Sequence, residues 1–350
     1  MSKICFLGDI HIGARNASNV VCEHQLKFFE NELFPYLKAN KISTIVQLGD
    51  LFDNRKNSNH YILSEWKIRF FDYLEKNKIN LITLIGNHDI FHRNNLKINA
   101  TSLILGKYKN ITIIEEPSEI MIGDTQFAVI PWVCDENREE VSKVLLTSIS
   151  NYCLCHAEFK GFAMQKGIEG HGTEETHLYD KFDLVLSGHY HTRSHVNNIL
   201  YTGIPFELTW ADYDDQKGFH VFDEESHNFD FVKTRTQLFT KIEYVGNDTN
   251  LPSSDIITDC YVKLIVIDKG DSSKLESFIS KLNNMNPIEL KVIESDVNFS
   301  SDDNVETNIE LKSTINLIQD FVNNNETTLD KNRLNMMLGE LYVESQEMIE

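Results

Sequence analysis

Five times between residue 3 and about residue 190, a short apolar, often β-branched stretch runs straight into a cluster of Gly, Asp, Asn or His. KICFL precedes GDIH, STIVQL precedes GDLFD, NLITLI precedes GNHD, NYCLC precedes HAE, and FDLVLS precedes GHYH. Short apolar runs closed by turn residues predict buried strands. Between the first three lie stretches of helical period, carried by Leu26, Phe29, Leu33 and Leu37 and then by Ile62, Trp66, Phe70 and Leu74. Strands alternating with helices imply βαβ units. In such sheets ligands collect beyond the carboxyl ends of the strands, where all five clusters fall.

The clusters contribute Asp9, His11, Asp50, Asn87, His88, Asp89, His156, His189 and His191. Each has an ordinary reading when taken alone. Asp9 and Asp50 suit turns after glycine, His88 suits a loop, and His156 could be a satisfied strand-end histidine. His189 and His191 project to one side of an extended segment but could equally sit on a solvated loop. Together and in order, they make an oxygen and imidazole donor set suited to manganese or iron rather than to a thiolate zinc site. The two oxygens of Asp50 could bridge two cations. A pair about 3.5–4 Å apart can activate water and neutralise a phosphoryl group, which is a design for hydrolysing phosphate esters.

Composition sets bounds on the rest. At 350 residues and 41% hydrophobic content, the chain can bury one large domain and a smaller one. No apolar segment approaches the roughly 18–20 residues of a membrane helix, and MSKICFLGD lacks the pattern of a signal peptide. A cytoplasmic location is expected, with no membrane partner. Cys5, Cys22, Cys134, Cys153, Cys155 and Cys260 show no Cys-x-x-Cys pair and read as reduced, buried residues. The net charge of −20 argues against a nucleic-acid partner, but it is unevenly spread. Residues 291–350 hold 13 acidic and 4 basic side chains, whereas residues 50–110 hold 6 acidic and 10 basic.

Beyond GHYHTRSH the pattern changes. Residues 196–235 read as short strands and turns, and 238–295 as a small mixed unit with strands KIEYV and YVKLIVI and helix KLESFISKL. NFSSDDNVET, residues 298–307, reads as a linker. Two amphipathic helices are expected after it, with Leu311, Ile315, Ile318 and Val322 on one and Leu334, Met337 or Leu338, Leu341 and Tyr342 on the other.

GDIH, GDLFD, GNHD and GHYH in this order resemble the calcineurin-like metallophosphoesterase superfamily over roughly residues 1–235. Within it, GDLFDNRK, HAEFKGF and YTGIP resemble the nuclease subunit of SbcCD-type double-strand-break-repair nuclease and ATPase complexes. IPWVCDEN, WADYDDQKGF and LYVES look closest to the recombination endonuclease subunit of T-even-like bacteriophages. The resemblance implies an α/β fold: a metallophosphoesterase sandwich of two central β-sheets flanked by helices, with a small α+β capping domain and C-terminal helices. It implies a nuclease domain over 1–237, a capping domain over 238–297, the linker, and an ATPase-docking segment over 308–350.

By the same resemblance, Asp9, His11, Asp50 and His191 hold a first metal, and Asp50, Asn87, His156 and His189 hold a second. The two divalent ions are expected to be manganese, with magnesium and iron as alternatives. His88 faces the scissile phosphate, and Asp89 orients His88 by hydrogen bonding. Some relatives carry a DNA-engaging histidine where Asp53 stands, which leaves that role in doubt and suggests a supporting contact instead. The implied partners are DNA, an SMC-like ABC ATPase docked on the C-terminal helices, and a second copy of the chain.

Arg55 and Lys56 after GDLFD, and Arg93 and Lys97 after GNHD, read either as a solvated face or as contacts to DNA phosphates. Two other classes stay open: a protein phosphatase or small phosphodiesterase, and a non-catalytic scaffold. GDLFDNRKN lacks the Asp-Arg-Gly run of phosphoprotein phosphatases, and the complete ligand set disfavours a scaffold.

Overall fold

The computed structural model describes residues 3–165, 168–169, 172–294 and 321–323 and positions 331, 334, 335 and 338. Its compact units divide between Thr236 and Gln237. In the first unit, all five apolar runs are strands. β1 (Lys3–Leu7), β2 (Thr44–Gln47), β3 (Asn80–Leu84) and β4 (Ile111–Ile114) lie parallel in one sheet. β13 (Gly218–Asp223) pairs antiparallel with β1, and β14 (Asn228–Lys233) completes the order β14-β13-β1-β2-β3-β4.

A hairpin, β5 (Ser118–Ile122) and β6 (Thr125–Ile130), opens a second sheet. It continues through β7 (Tyr152–Cys155) and β10 (Leu184–Ser187) to β12 (Ile199–Tyr201) and β11 (Ser194–Val196). The first three clusters therefore end strands of one sheet and the last two end strands of the other. A short pair, β8 (Ala163–Gln165) and β9 (Ile168–Glu169), lies outside both sheets.

The sheets face each other across an apolar core. Ile4, Phe6, Val46, Leu48 and Leu84 come from the first sheet and its strand ends; Phe127, Val129, Leu154, Leu186 and Leu200 come from the second. The intervening Ala128, Ile130, Cys153, Cys155 and Val185 point to the second sheet's other face, into a separate cluster. Two-residue alternation gives both cores. With both faces covered, the strands read as continuous apolar runs rather than as alternation.

The helical stretches also form, each broken by one wide π turn. Helix Asn19–Phe28 starts at Ser18, whose Oγ accepts from Val21 N at 3.4 Å. It widens over Phe29–Leu33 and resumes at Phe34–Asn40. Pro35 in the resumed first turn supplies the reason: it donates no N–H and crowds the carbonyl four residues back, which the wider turn relieves. The second stretch runs His60–Trp66, Lys67–Phe71 and Asp72–Lys76, capped by Asn59 Oδ1. The eight residues that carried the period are all buried, and Phe29 meets Phe70 at 4.6 Å between ring centroids.

The second unit holds β15 (Phe239–Val245), β16 (Tyr261–Asp268) and β17 (Glu289–Glu294), all parallel. Helix Ser272–Asn283, capped by Asp271, packs Leu275, Phe278 and Leu282 with Tyr244, Val262 and Leu264. The linker lies outside the described residues, as do the expected C-terminal helices apart from a helical turn at 321–323 and single helical positions at 331, 334, 335 and 338. All six cysteines are free and buried. Among the described residues no helix is long and apolar enough to cross a membrane.

Leu186 sits in the inter-sheet core at 1% exposure. Leu186→Ala is expected to cost about 2–5 kcal/mol, read as a lower denaturant midpoint for the first unit. A midpoint unchanged from wild type would contradict this packing.

Candidate metal centre

The strand-end loops are zipped to one another by backbone before any side chain acts. Ile10 N and His11 N donate to Asp50 O at 3.1 and 3.0 Å, Leu48 N donates to Leu7 O at 2.9 Å, and His156 N donates to Ile130 O at 3.1 Å. Gln25, a polar residue on the buried face of its helix, donates to the carbonyls of Ile10 and His11. Loops this close leave no room for side chains at two glycines. A Cβ on Gly49, whose φ is +101°, would stand 2.3 Å from His156 Nδ1, and one on Gly86 would stand 2.1 Å from Asp50 Oδ1.

The carboxylates then fasten one loop to the next. His189 N donates to both oxygens of Asp9 at 3.0 and 3.1 Å, and His88 N donates to Asp50 Oδ1 at 2.7 Å. His11, Asp50 and His189 all have positive φ, at 54°, 53° and 86°. Non-glycine residues take that region at a cost of order 1–3 kcal/mol, sustained only where the surroundings over-determine the backbone.

Besides His11 with Asp53 and His88, two donor groups result. In one, His11 Nε2 lies 3.1 Å from His191 Nε2 and 3.9 Å from Asp9 Oδ2. In the other, Asn87 Oδ1 is 3.0 Å from both His156 Nε2 and His189 Nδ1, and Asp50 Oδ2 is 3.3 Å from His156 Nε2. His189 and His191 fall into different groups despite standing one residue apart. Trp132 was not foreseen; its ring centroid lies 5.2 Å from that of His189 and 5.9 Å from that of His156.

The donor chemistry fits cations. His156 Nδ1 faces the Leu48 carbonyl at 2.7 Å and must donate to it, so a neutral His156 turns a lone pair toward Asp50. Likewise, two neutral imidazoles cannot both accept across the gap between His11 and His191. A proton or a cation must lie in each place. In the protein alone it is a proton: burial pulls both imidazoles down, but at His11 the Asp53 carboxylate and then Asp50 and Asp9 lift the pKa to about 10. At His156, Asp50 above all lifts it to about 9. His191 is pushed down to about 3 by desolvation and the His11 charge.

Burial raises Asp9, while His156, by its charge and its hydrogen bond, holds Asp50 well below its usual range against the same burial.

His88 lies beside the His11 group, its ring centroid 4.9 Å from that of His11. Its Nδ1 meets the backbone carbonyl of Asp53 at 2.7 Å; a carbonyl only accepts, so Nδ1 carries the proton and Nε2 is left available. The orienting bond expected from Asp89 is therefore made by Asp53. Asp89 is fully buried and accepts from Gly86 N at 2.8 Å, Phe52 N at 2.9 Å and Leu51 N at 3.3 Å. The chain turns back after His88, which carries the Asp89 side chain inward, where three amides claim its oxygens. Burial lifts its pKa to about 6. Asp53 Oδ1 lies 3.3 Å from the otherwise unpartnered His11 Nδ1.

Of the four basic residues, Lys56 and Arg93 are exposed and Arg55 is half-buried. Lys97 is exposed but pairs with Glu136 at 2.6 Å.

The family model described as "Calcineurin-like phosphoesterase" matches residues 2–193. The chain belongs to that family. It is 31% identical to "Exonuclease subunit 1" of Enterobacteria phage T4 over 99% of this chain and 100% of that one. It is 24% identical to "DNA double-strand break repair protein Mre11" of Nanoarchaeum equitans over 76% of this chain and 79% of that one. Among solved structures, an archaeal phosphodiesterase at 12% identity is covered over 99% of its length and 66% of this chain, with a TM-score of 0.32.

Metal ligation needs neutral imidazoles, so loading this phosphoesterase site must expel the protons on His11 and His156. Calorimetry in buffers of different ionisation enthalpy is expected to show about two protons released per chain at neutral pH, with affinity rising up to pH about 9–10. The chelated protein should behave oppositely. Both pKa values lie above the ordinary 6.5, so their stabilisation is full below that pH and is lost as pH climbs through about 9–10. Metal binding without proton release would overturn the arrangement.

Proposed function

We propose that the chain is the nuclease subunit of a DNA end-processing machine: a two-metal phosphodiesterase acting as a double-strand exonuclease and as a single-strand or structure-specific endonuclease. The observation that carries this reading is the pair of donor groups joined through the loops of Asp9 and Asp50, with an oriented imidazole, His88, beside them. The names of the two relatives, an exonuclease subunit and a double-strand-break repair protein, support DNA as the substrate.

In this reading Asp9, His11, Asp50 and His191 would hold one ion, and Asp50, Asn87, His156 and His189 would hold the other, with Asp50 common to both. Manganese suits the oxygen and imidazole donors, with magnesium and iron as alternatives. When bound, two such ions supply Lewis-acid stabilisation of the phosphoryl charge and a water made acidic enough to attack. The chain's own residues do the rest. The amides of His88 and His189 hold the carboxylates still, the Asp53 carbonyl sets the His88 tautomer, and Trp132 packs beside the second group. His88 Nε2, when protonated, donates to the scissile phosphate or to the leaving oxygen.

The proposal extends to an SMC-like ABC ATPase as partner through the C-terminal helices, and to a homodimer. With a net charge of −20, the chain shares DNA affinity with that partner.

Digestion of linear duplex DNA in manganese tests the chemistry. Asp50→Asn is expected to lose both metal and activity, whereas His88→Asn keeps its metal and loses about 10²–10⁴-fold in rate. Activity that survives Asp50→Asn would rule out the bridging role. For DNA contact, Arg93 is the cleaner probe, because Lys97 is occupied by Glu136. Arg93→Glu should weaken binding across all sequences and lower the slope of log affinity against log salt by about one contact. An unchanged slope would remove Arg93 from the DNA path.

A further inference from the structure

Lys217 is the only buried lysine among the described residues. Its ammonium has three protons and three acceptors: Asp212 Oδ1 at 2.8 Å, Asp215 Oδ2 at 2.9 Å and the backbone carbonyl of His191 at 2.9 Å. The other oxygen of Asp212 is also committed. It accepts from Leu208 N at 3.0 Å and Thr209 N at 2.8 Å, so the segment before β13 is bound to the same cation. The His191 carbonyl takes one further bond, from Ile204 N at 3.2 Å. Lys217 thus ties the loop that carries His191 to two other stretches of chain.

Burying an ammonium against one buried carboxylate, Asp212, and one half-buried, Asp215, is a poor way to gain stability. Desolvation offsets most of the attraction, and an apolar cluster of the same size would often do as well. What the ion cluster supplies is a fixed position. A three-donor cation with every proton used holds the His191 carbonyl at a defined point, one residue's geometry away from the imidazole that faces His11.

We propose that Lys217, clamped by Asp212 and Asp215, is a positioning residue for the cation site of Asp9, His11 and His191, and sets the affinity of that site and not of the other. This inference rests on the two-cation reading above. The second group, Asp50, Asn87, His156 and His189, is fixed instead by its own ties: Leu48 O to His156, and His88 N to Asp50.

The test is manganese titration by calorimetry on the full chain, with thermal unfolding of the metal-free protein measured alongside. Wild type is expected to bind two ions. Lys217→Met should leave one ion at wild-type affinity and weaken the other about 10–100-fold, the usual size of a supporting-residue effect. In a His191→Asn background, where the first site is already lost, adding Lys217→Met should change nothing further.

Because Lys217→Met leaves the buried carboxylate of Asp212 and the half-buried one of Asp215 without their cation, the double variant Lys217→Met/Asp212→Asn restores part of the charge balance. It should regain stability without regaining the lost affinity. If affinity returns together with stability, or if Lys217→Met weakens both sites equally or neither, the clamp is structural only and the proposal falls. A wild-type protein that binds a single ion would refute the two-cation reading itself, and the clamp with it.

Discussion

The arrangement depends on one kind of bond: a backbone amide of one strand-end loop donating to a carboxylate of another. His189 N holds Asp9, His88 N holds Asp50, and Gly86, Leu51 and Phe52 hold Asp89. All but the Gly86 bond join two motifs, and the bond to Asp9 joins the two sheets. A carboxylate fixed by charged hydrogen bonds keeps its remaining lone pairs aimed at one point. Two sheets packed on an apolar core bring the loops near one another; these amides turn nearness into a set of converging donors.

That convergence has a conformational cost, and the structure shows where it falls. His11, Asp50 and His189 sit at positive φ, and Gly49 and Gly86 stand where a methyl group would strike His156 or Asp50. The dense core around β1, β2, β3, β7 and β10 over-determines these positions. Strain of this kind gathers at sites whose geometry matters more than their stability. Proton bookkeeping follows the same logic: the raised imidazoles of His11 and His156 occupy places that the donor chemistry reserves for cations.

The sequence made the strands, the helical faces and the ligand types legible because these are local. Five apolar runs closed by Gly, Asp, Asn or His cannot be mistaken for helices, and eight periodic residues point inward as their spacing requires. What stayed hidden was set at long range. Nothing in GNHD says that Asp89 turns away from His88 to collect three amides, because the partners lie up to 38 residues away. Nothing in DDQKGF marks Lys217 as buried, since its stretch is polar and its carbonyl partner belongs to His191. Gln25 and Gln47 carried a faint signal: each is a polar residue in an otherwise apolar face or run, and each turns out to brace a strand-end loop. β17 was missed because ELKVIE alternates polar and apolar residues too weakly to stand out.

The charge distribution looks different once the partners are known. The basic excess of residues 50–110 suggested a surface for phosphate, but much of it is spent inside the protein. Arg69 is held by Glu23 at 2.5 Å, Glu30 at 2.6 Å and Glu65 at 3.6 Å; Lys67 is held by Asp72 and Lys97 by Glu136, each at 2.6 Å. A lysine or arginine already paired releases little on meeting a phosphate, because it must first give up its own partner. On the proposed reading, less of the basic excess of residues 50–110 is left for phosphate than its count suggests.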